Sequence, residues 1–92
     1  MRVDVLRCDE ETELYIWSRH QVAPREVEEA AFHAGLTLRG REKGVCEVYG
    51  RADAGRFLII AVRYLGRGEA RVITAREMSR AERRRYEKIG AH

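Results

Sequence analysis

Ninety-two residues, 45% hydrophobic and 36% charged, fit one small soluble domain spanning residues 1–92 and exclude a disordered chain or a large multidomain enzyme. The longest apolar run, Phe57 to Val62, is far too short to cross a bilayer, and the amino-terminal residues hold no apolar leader. A cytoplasmic protein with no membrane partner is therefore expected. The net charge of +3 is unevenly spread: residues 1–35 hold four arginines against eight acids, residues 36–66 six basic groups against three acids, and residues 67–92 eight against four. An acidic front and a basic back suit a protein that meets a polyanion on one surface, with RNA the first candidate.

In chain order, Val3, Val5 and Leu6 open a strand among Arg2, Asp4 and Arg7. Asp9 is placed to cap a helix with an acidic first turn (Glu10, Glu11, Glu13), favoured by the helix dipole. Leu14 and Trp17, three apart, are expected to face the core, and the helix is expected to end near His20. Pro24 then starts a second helix, Glu26 stands at its third position, and Val22 and Val27 form a hydrophobic staple. Val27, Ala30, Ala31 and Ala34 form its apolar stripe, with Gly35 as the stop.

After Gly35 the apolar period becomes two. Strands are expected over Leu36–Arg39, Val45–Arg51, Arg56–Leu65 and Ala70–Arg76, separated by the turns Gly40–Gly44, Asp53–Gly55 and Gly66–Gly68. Arg56–Leu65 is apolar on both faces, which places it centrally. Ser79 and Glu82 form a capping box, so a last helix begins at Arg80, anchored by Tyr86 and Ile89 and ended by Gly90. The order β-α-α-β-β-β-β-α, with short loops between successive strands, predicts an α+β fold: an antiparallel sheet of four to five strands, two amino-terminal helices and one carboxy-terminal helix.

The sequence contains no catalytic triad, phosphate-binding loop or metal-ligand spacing, and no cofactor is expected. Cys8 and Cys46 are widely spaced and expected to be reduced. The chemistry-bearing residues are arginines and three histidines. Metal-free RNA cleavage needs a base for the ribose 2′-OH, a proton for the leaving oxygen and positive charge on the phosphorane-like transition state. Arginine serves the last need with a planar two-donor fork, and histidine suits proton transfer near neutrality. Arg76 and Arg51 end strands, where rigid backbone holds an exposed side chain; Arg76 can instead pair with Glu77 or Glu82. Arg71 is five residues before Arg76, so a regular strand puts the two on opposite faces unless a bulge intervenes. Arg80 and Arg84 share a helix face, from which Arg83 and Arg85 diverge; Tyr86 is either a packing anchor or a stacking ring.

The segment Trp17 to Glu29, with Arg19-His20-Gln21-Val22, resembles the Arg/Lys-His-Gly-Val-x-x-Glu-Glu signature of the BrnT-type toxins, ribonuclease components of type II toxin–antitoxin systems. Tyr49-Gly50-Arg51, Gly55-Arg56-Phe57-Leu58, Arg71 to Arg76 and Glu82 to Glu87 are similar to that family's later motifs, in the same order. Gln21 stands where the family has Gly, and the family's amino-terminal Trp-Asp is absent. The resemblance implies a RelE-like fold and metal-independent endoribonuclease activity. It implies RNA and a small cognate antitoxin as partners, with a homodimer or a hetero-oligomer with the antitoxin as the assembly. Carried onto this chain, it makes His20, Arg51 and Arg76 the catalytic candidates and Arg71, Arg80, Arg83, Arg84 and Tyr86 the substrate-binding candidates. The alternatives are a noncatalytic RNA- or DNA-binding module and a structural protein-interaction domain.

Overall fold

A computed structural model describes residues 4–40 and 42–90. Its elements follow the predicted order: β1 (Val5–Arg7), α1 (Glu10–His20), α2 (Pro24–Phe32), β2 (Ala34–Arg39), β3 (Val45–Arg51), β4 (Phe57–Gly66), β5 (Glu69–Glu77) and α3 (Arg80–Gly90). The expectations placed on Arg2, Val3 and Arg41 lie outside the described residues.

The five strands form one sheet in the order β1-β5-β4-β3-β2, with the apolar β4 at its centre. β2 to β5 make the antiparallel meander that short loops dictate. β1 corrects the all-antiparallel expectation: it pairs parallel with β5, so the sheet is mixed. No short loop ties β1 to its partner. Two helices and three strands intervene, and its direction is set by that long crossover.

One sheet face is covered by α1 and α2. Ile16, Val22, Val27 and Ala30 from this helical layer meet Val48, Leu58, Ile60, Val62, Val72 and Ala75 from the sheet in one core. The helix ends are built as the sequence implies. Asp9 Oδ1 accepts the Thr12 N–H at 2.7 Å, and Glu26 Oε1 accepts the Ala23 N–H at 3.0 Å. Val22 and Val27 are both buried, as a staple requires. Arg56 locks this layer to the sheet: its Nη1 donates to Glu26 at 2.9 Å and to the Gln21 carbonyl at 2.7 Å, and its Nε donates to Glu77 at 2.9 Å.

Besides Ile89, expected to anchor α3 but 41% exposed, two packing expectations are overturned. Leu14 and Trp17 are 64% and 54% exposed, and Ile16, at 1%, is the residue α1 buries. The α1 run Leu14-Tyr15-Ile16-Trp17 is apolar all round, so spacing alone does not choose the inward side. The second correction concerns α2, which ends at Phe32 with His33 as its cap. Ala34 and Gly35 already belong to β2, where Ala34 pairs with Gly50, so strand pairing takes these residues from the helix.

Gly50 stands where α2 crosses β3. A Cβ there would run into the Ala30 carbonyl oxygen and lie 2.8 Å from its carbon. The helix backbone thus rests directly on the strand, an approach only glycine permits.

Gln21 closes α1 in the left-handed region, at φ 52° and ψ 40°, with its N–H donating to the Trp17 carbonyl. This is the position at which glycine is favoured. We expect Gln21→Gly to stabilise the fold by about 1 kcal/mol, measured as a shift in urea midpoint. A lowered midpoint would mean that the Gln21 side chain, whose Nε2 donates weakly to the Ser18 carbonyl at 3.5 Å, outweighs the backbone strain.

Candidate functional site

The face of the sheet opposite α1 and α2 carries the charge. Register assigns its residues. Across β3, β4 and β5, Tyr49, Ile59 and Arg76 stand side by side; Glu47, Ala61 and Thr74 form the next row; Arg51 pairs with Phe57. Paired residues in an antiparallel ladder share a face, and β4 alternates from Phe57 through Ile59 and Ala61 to Arg63. All these side chains therefore point away from the helical layer.

A β-bulge decides where Arg71 goes. Thr74 pairs with Ala61 and Val72 with Val62, which leaves Ile73 as the extra residue. Arg71 then pairs with Arg63, and Arg76 with Ile59. Residues 59 and 63 are four apart on β4, so Arg71 and Arg76 emerge on the same face despite their odd separation. Ile73 is exposed between them.

α3 borders this face. The box that starts it is reciprocal: the Glu82 N–H donates to Ser79 Oγ at 3.2 Å, and Glu82 Oε1 accepts the Ser79 N–H at 2.8 Å. Glu82 also holds Arg76 end-on, with Nη1 to Oε1 at 2.7 Å and Nη2 to Oε2 at 2.8 Å. The second Nη1 hydrogen goes to the Glu77 carbonyl at 3.1 Å. Hydrogen bonds from Arg76, with help from the Ser79 N–H and against partial burial, lower the Glu82 carboxyl to a pKa of about 2. A guanidinium has five N–H groups. The side-on edge of Arg76, formed by Nε and the outer Nη2 hydrogen, has no protein partner among the described residues. It is a fixed two-donor fork of the kind that matches two phosphate oxygens.

Between α3 and the β2–β3 turn lies a groove of about 440 Å³ lined by residues that include Arg39, Glu47, Ala61, Ile73, Arg76 and Glu82. Ala61 is its small floor. Glu47 is half-buried and makes no hydrogen bond or ion pair among the described residues, although its charge acts on both Arg76 and Tyr49. Tyr49 is buried, and desolvation pushes its phenol up from its ordinary value. A larger hollow of about 760 Å³ lies beside the same turn, near Lys43, Cys46 and Tyr64.

The candidates named from sequence are only partly brought together. Arg76 lines the groove, and Arg71 lies on the same face beyond Ile73. Arg51 lies outside the groove, its Cζ 5.2 Å from the centre of the Phe57 ring. Arg83 stacks on that ring at 4.2 Å and donates to Glu87 at 3.2 Å, and Tyr86 meets the ring edge-on at 5.9 Å. Phe57 thus anchors α3 through Arg83 and Tyr86 and gathers Arg51 beside them. Arg80 and Arg84 are exposed and make no ion pair among the described residues. His20 belongs to the helical layer, with its ring 6.4 Å from Tyr15. Among the described residues, no hydrogen bond, ion pair or ring contact joins it to Arg51 or Arg76.

Sequence reasoning missed Glu47 and Arg39 as groove residues. The available signal is the period of two, which places Glu47 on the same strand face as Tyr49 and Arg51.

A mixed five-stranded sheet, with two helices on one face and a capped basic helix beside a charged groove on the other, defines a small α+β fold of the BrnT-like type. The solved structure of the Brucella abortus ribonuclease toxin BrnT is similar to this chain, with a TM-score of 0.66 and 15% sequence identity, covering 87% of this chain and 99% of that one. At that identity the likeness establishes the fold. No protein-family model and no curated protein matches the sequence. Among the described residues, no helix is long and apolar enough to cross a membrane.

Proposed function

We propose that this chain is a metal-independent endoribonuclease toxin of a type II toxin–antitoxin system, acting in the cytoplasm. The observation that carries this reading is the open side-on fork of Arg76, held rigid by Glu82 at the edge of a groove, in a fold shared with a ribonuclease toxin. In such a reaction the ribose 2′-OH attacks the adjacent phosphorus. Negative charge builds on the phosphoryl oxygens, and a preoriented guanidinium meets it without reorganising. Arg71 on the same face and Arg80 and Arg84 on α3 supply charge for the flanking phosphates. A free nuclease endangers its host, so a small antitoxin with carboxylates facing the groove is the expected partner.

The test is cleavage of a mixed-sequence RNA by the purified chain with chelator present, together with growth of a host expressing it alone or beside its neighbouring open reading frame. Cleavage in chelator, growth arrest and rescue by the neighbour are expected. RNA binding without cleavage, and normal growth with abundant folded protein, would favour the noncatalytic binding module. Failure to bind RNA, with a small protein copurifying, would favour the interaction domain.

A further inference from the structure

We infer that Glu47 is the general base that takes the 2′-OH proton, a role that rests on the ribonuclease reading above. Glu47 sits in the middle of β3, in the row formed with Ala61 and Thr74, one step along the sheet from the row of Tyr49, Ile59 and Arg76. Glu47 and Arg76 are therefore diagonal neighbours with one strand between them. That strand presents Ala61, whose methyl leaves the space over the sheet open. Both side chains line the same groove. A phosphodiester held by Arg76 in this groove therefore shares it with the Glu47 carboxylate, with only the Ala61 methyl between them on the sheet.

Pairing separates the two groove carboxylates. Glu82 is held by Arg76 and Ser79, and both of its oxygens accept hydrogen bonds. Glu47 has none among the described residues, so its lone pairs are available for a substrate hydroxyl. The groups around it come from every neighbouring element: Arg39 from β2, Tyr49 from its own strand, Arg76 from β5, Glu82 from α3 and Glu42 from the turn, while β4 contributes the uncharged Ala61. Arg76 offsets the repulsion between a carboxylate and an incoming phosphodiester.

Glu47 accepts the 2′-OH proton as the 2′ oxygen bonds to phosphorus. The bond from phosphorus to the 5′ oxygen breaks, and its electron pair stays on that oxygen, which takes a proton from solvent water. Glu47 then returns its proton to the hydroxide so formed. The products are a 2′,3′-cyclic phosphate and a 5′-hydroxyl end.

The experiment compares the full chain with Glu47→Gln and Glu47→Asp. Cleavage is followed across pH with chelator present, and binding is measured by anisotropy on a 2′-O-methyl oligonucleotide that cannot be cut. The parent should give cyclic-phosphate ends, with a rate that falls on acidification. Glu47→Gln should lose about 100-fold or more in rate and show no acidic limb, while keeping its RNA affinity and its circular dichroism spectrum. Glu47→Asp should be intermediate and keep the limb. Glu82 stays ionised down to about 2, so a limb above that range does not come from it. Cleavage by Glu47→Gln at the parent rate with the limb intact would overturn the role of Glu47 and leave the ribonuclease reading standing. Loss of affinity equal to the loss of rate would also overturn it, making Glu47 a binding residue. A parent that binds RNA without cutting it would overturn both.

Discussion

Arg76→Ala should lower the rate of RNA cleavage by an amount equal to roughly 2–4 kcal/mol of barrier, with RNA affinity nearly intact. The fork is aimed at where charge develops, so its loss acts on the transition state more than on ground-state binding. The same substitution leaves the Glu82 carboxylate without its main partner, and a stability change could be mistaken for a chemical one. Arg76→Lys separates the two. It keeps a positive charge near Glu82 but cannot offer two parallel donors to the carboxylate and two more to a phosphate. Both variants should be slow, and Arg76→Lys should keep more of the parent's thermal stability. Rates equal to the parent's in both would remove Arg76 from the chemistry and leave the Glu82 pair as a structural tie at the start of α3.

The second large effect concerns the fold. Gly50→Ala should destabilise the chain by about 3 kcal/mol, read from urea unfolding. The methyl would have to displace the α2 backbone at Ala30, because the atoms it meets are a carbonyl group and not the flexible end of a side chain. α2 carries Val27 and Ala30 into the core, so moving it off β3 opens the layer that supports the whole sheet. Gly50 faces away from the groove. An unfolding curve unchanged from the parent's would show that α2 can shift without cost.

Local chemistry made the architecture readable. Asp9, Pro24 with Glu26, and Ser79 with Glu82 mark three helix starts, and each helix begins there. The doubly apolar β4 is central for the reason its composition gives. Long-range pairing was not readable, because β1 meets β5 across most of the chain and no turn residue encodes that contact. The inward side of α1 was also hidden, since Leu14, Ile16 and Trp17 are equally plausible core residues until the sheet selects Ile16.

The site divides along the same line. Arg76 was legible from its position at a strand end, and its pairing with Glu82 was one of two outcomes the spacing allowed. Glu47 was not, because a lone glutamate in an alternating strand reads as a solvated position. Its significance comes from Arg76, two strands away. His20 illustrates the converse, a residue chosen by local motif that the fold sets in the opposite layer.

Ile73 is the single unpaired residue that aligns two arginines. It makes the middle of β5 a counting device. The exposed Ile73 side chain can be exchanged, provided the number of residues is kept. Removing one residue between Val72 and Thr74 would restore a regular strand and turn either Arg71 or Arg76 towards the core, while every other residue of the protein stayed the same. Position 73 should therefore tolerate exchange while the segment tolerates no change in length, and a single-codon deletion there would do more harm than a substitution of Ile73.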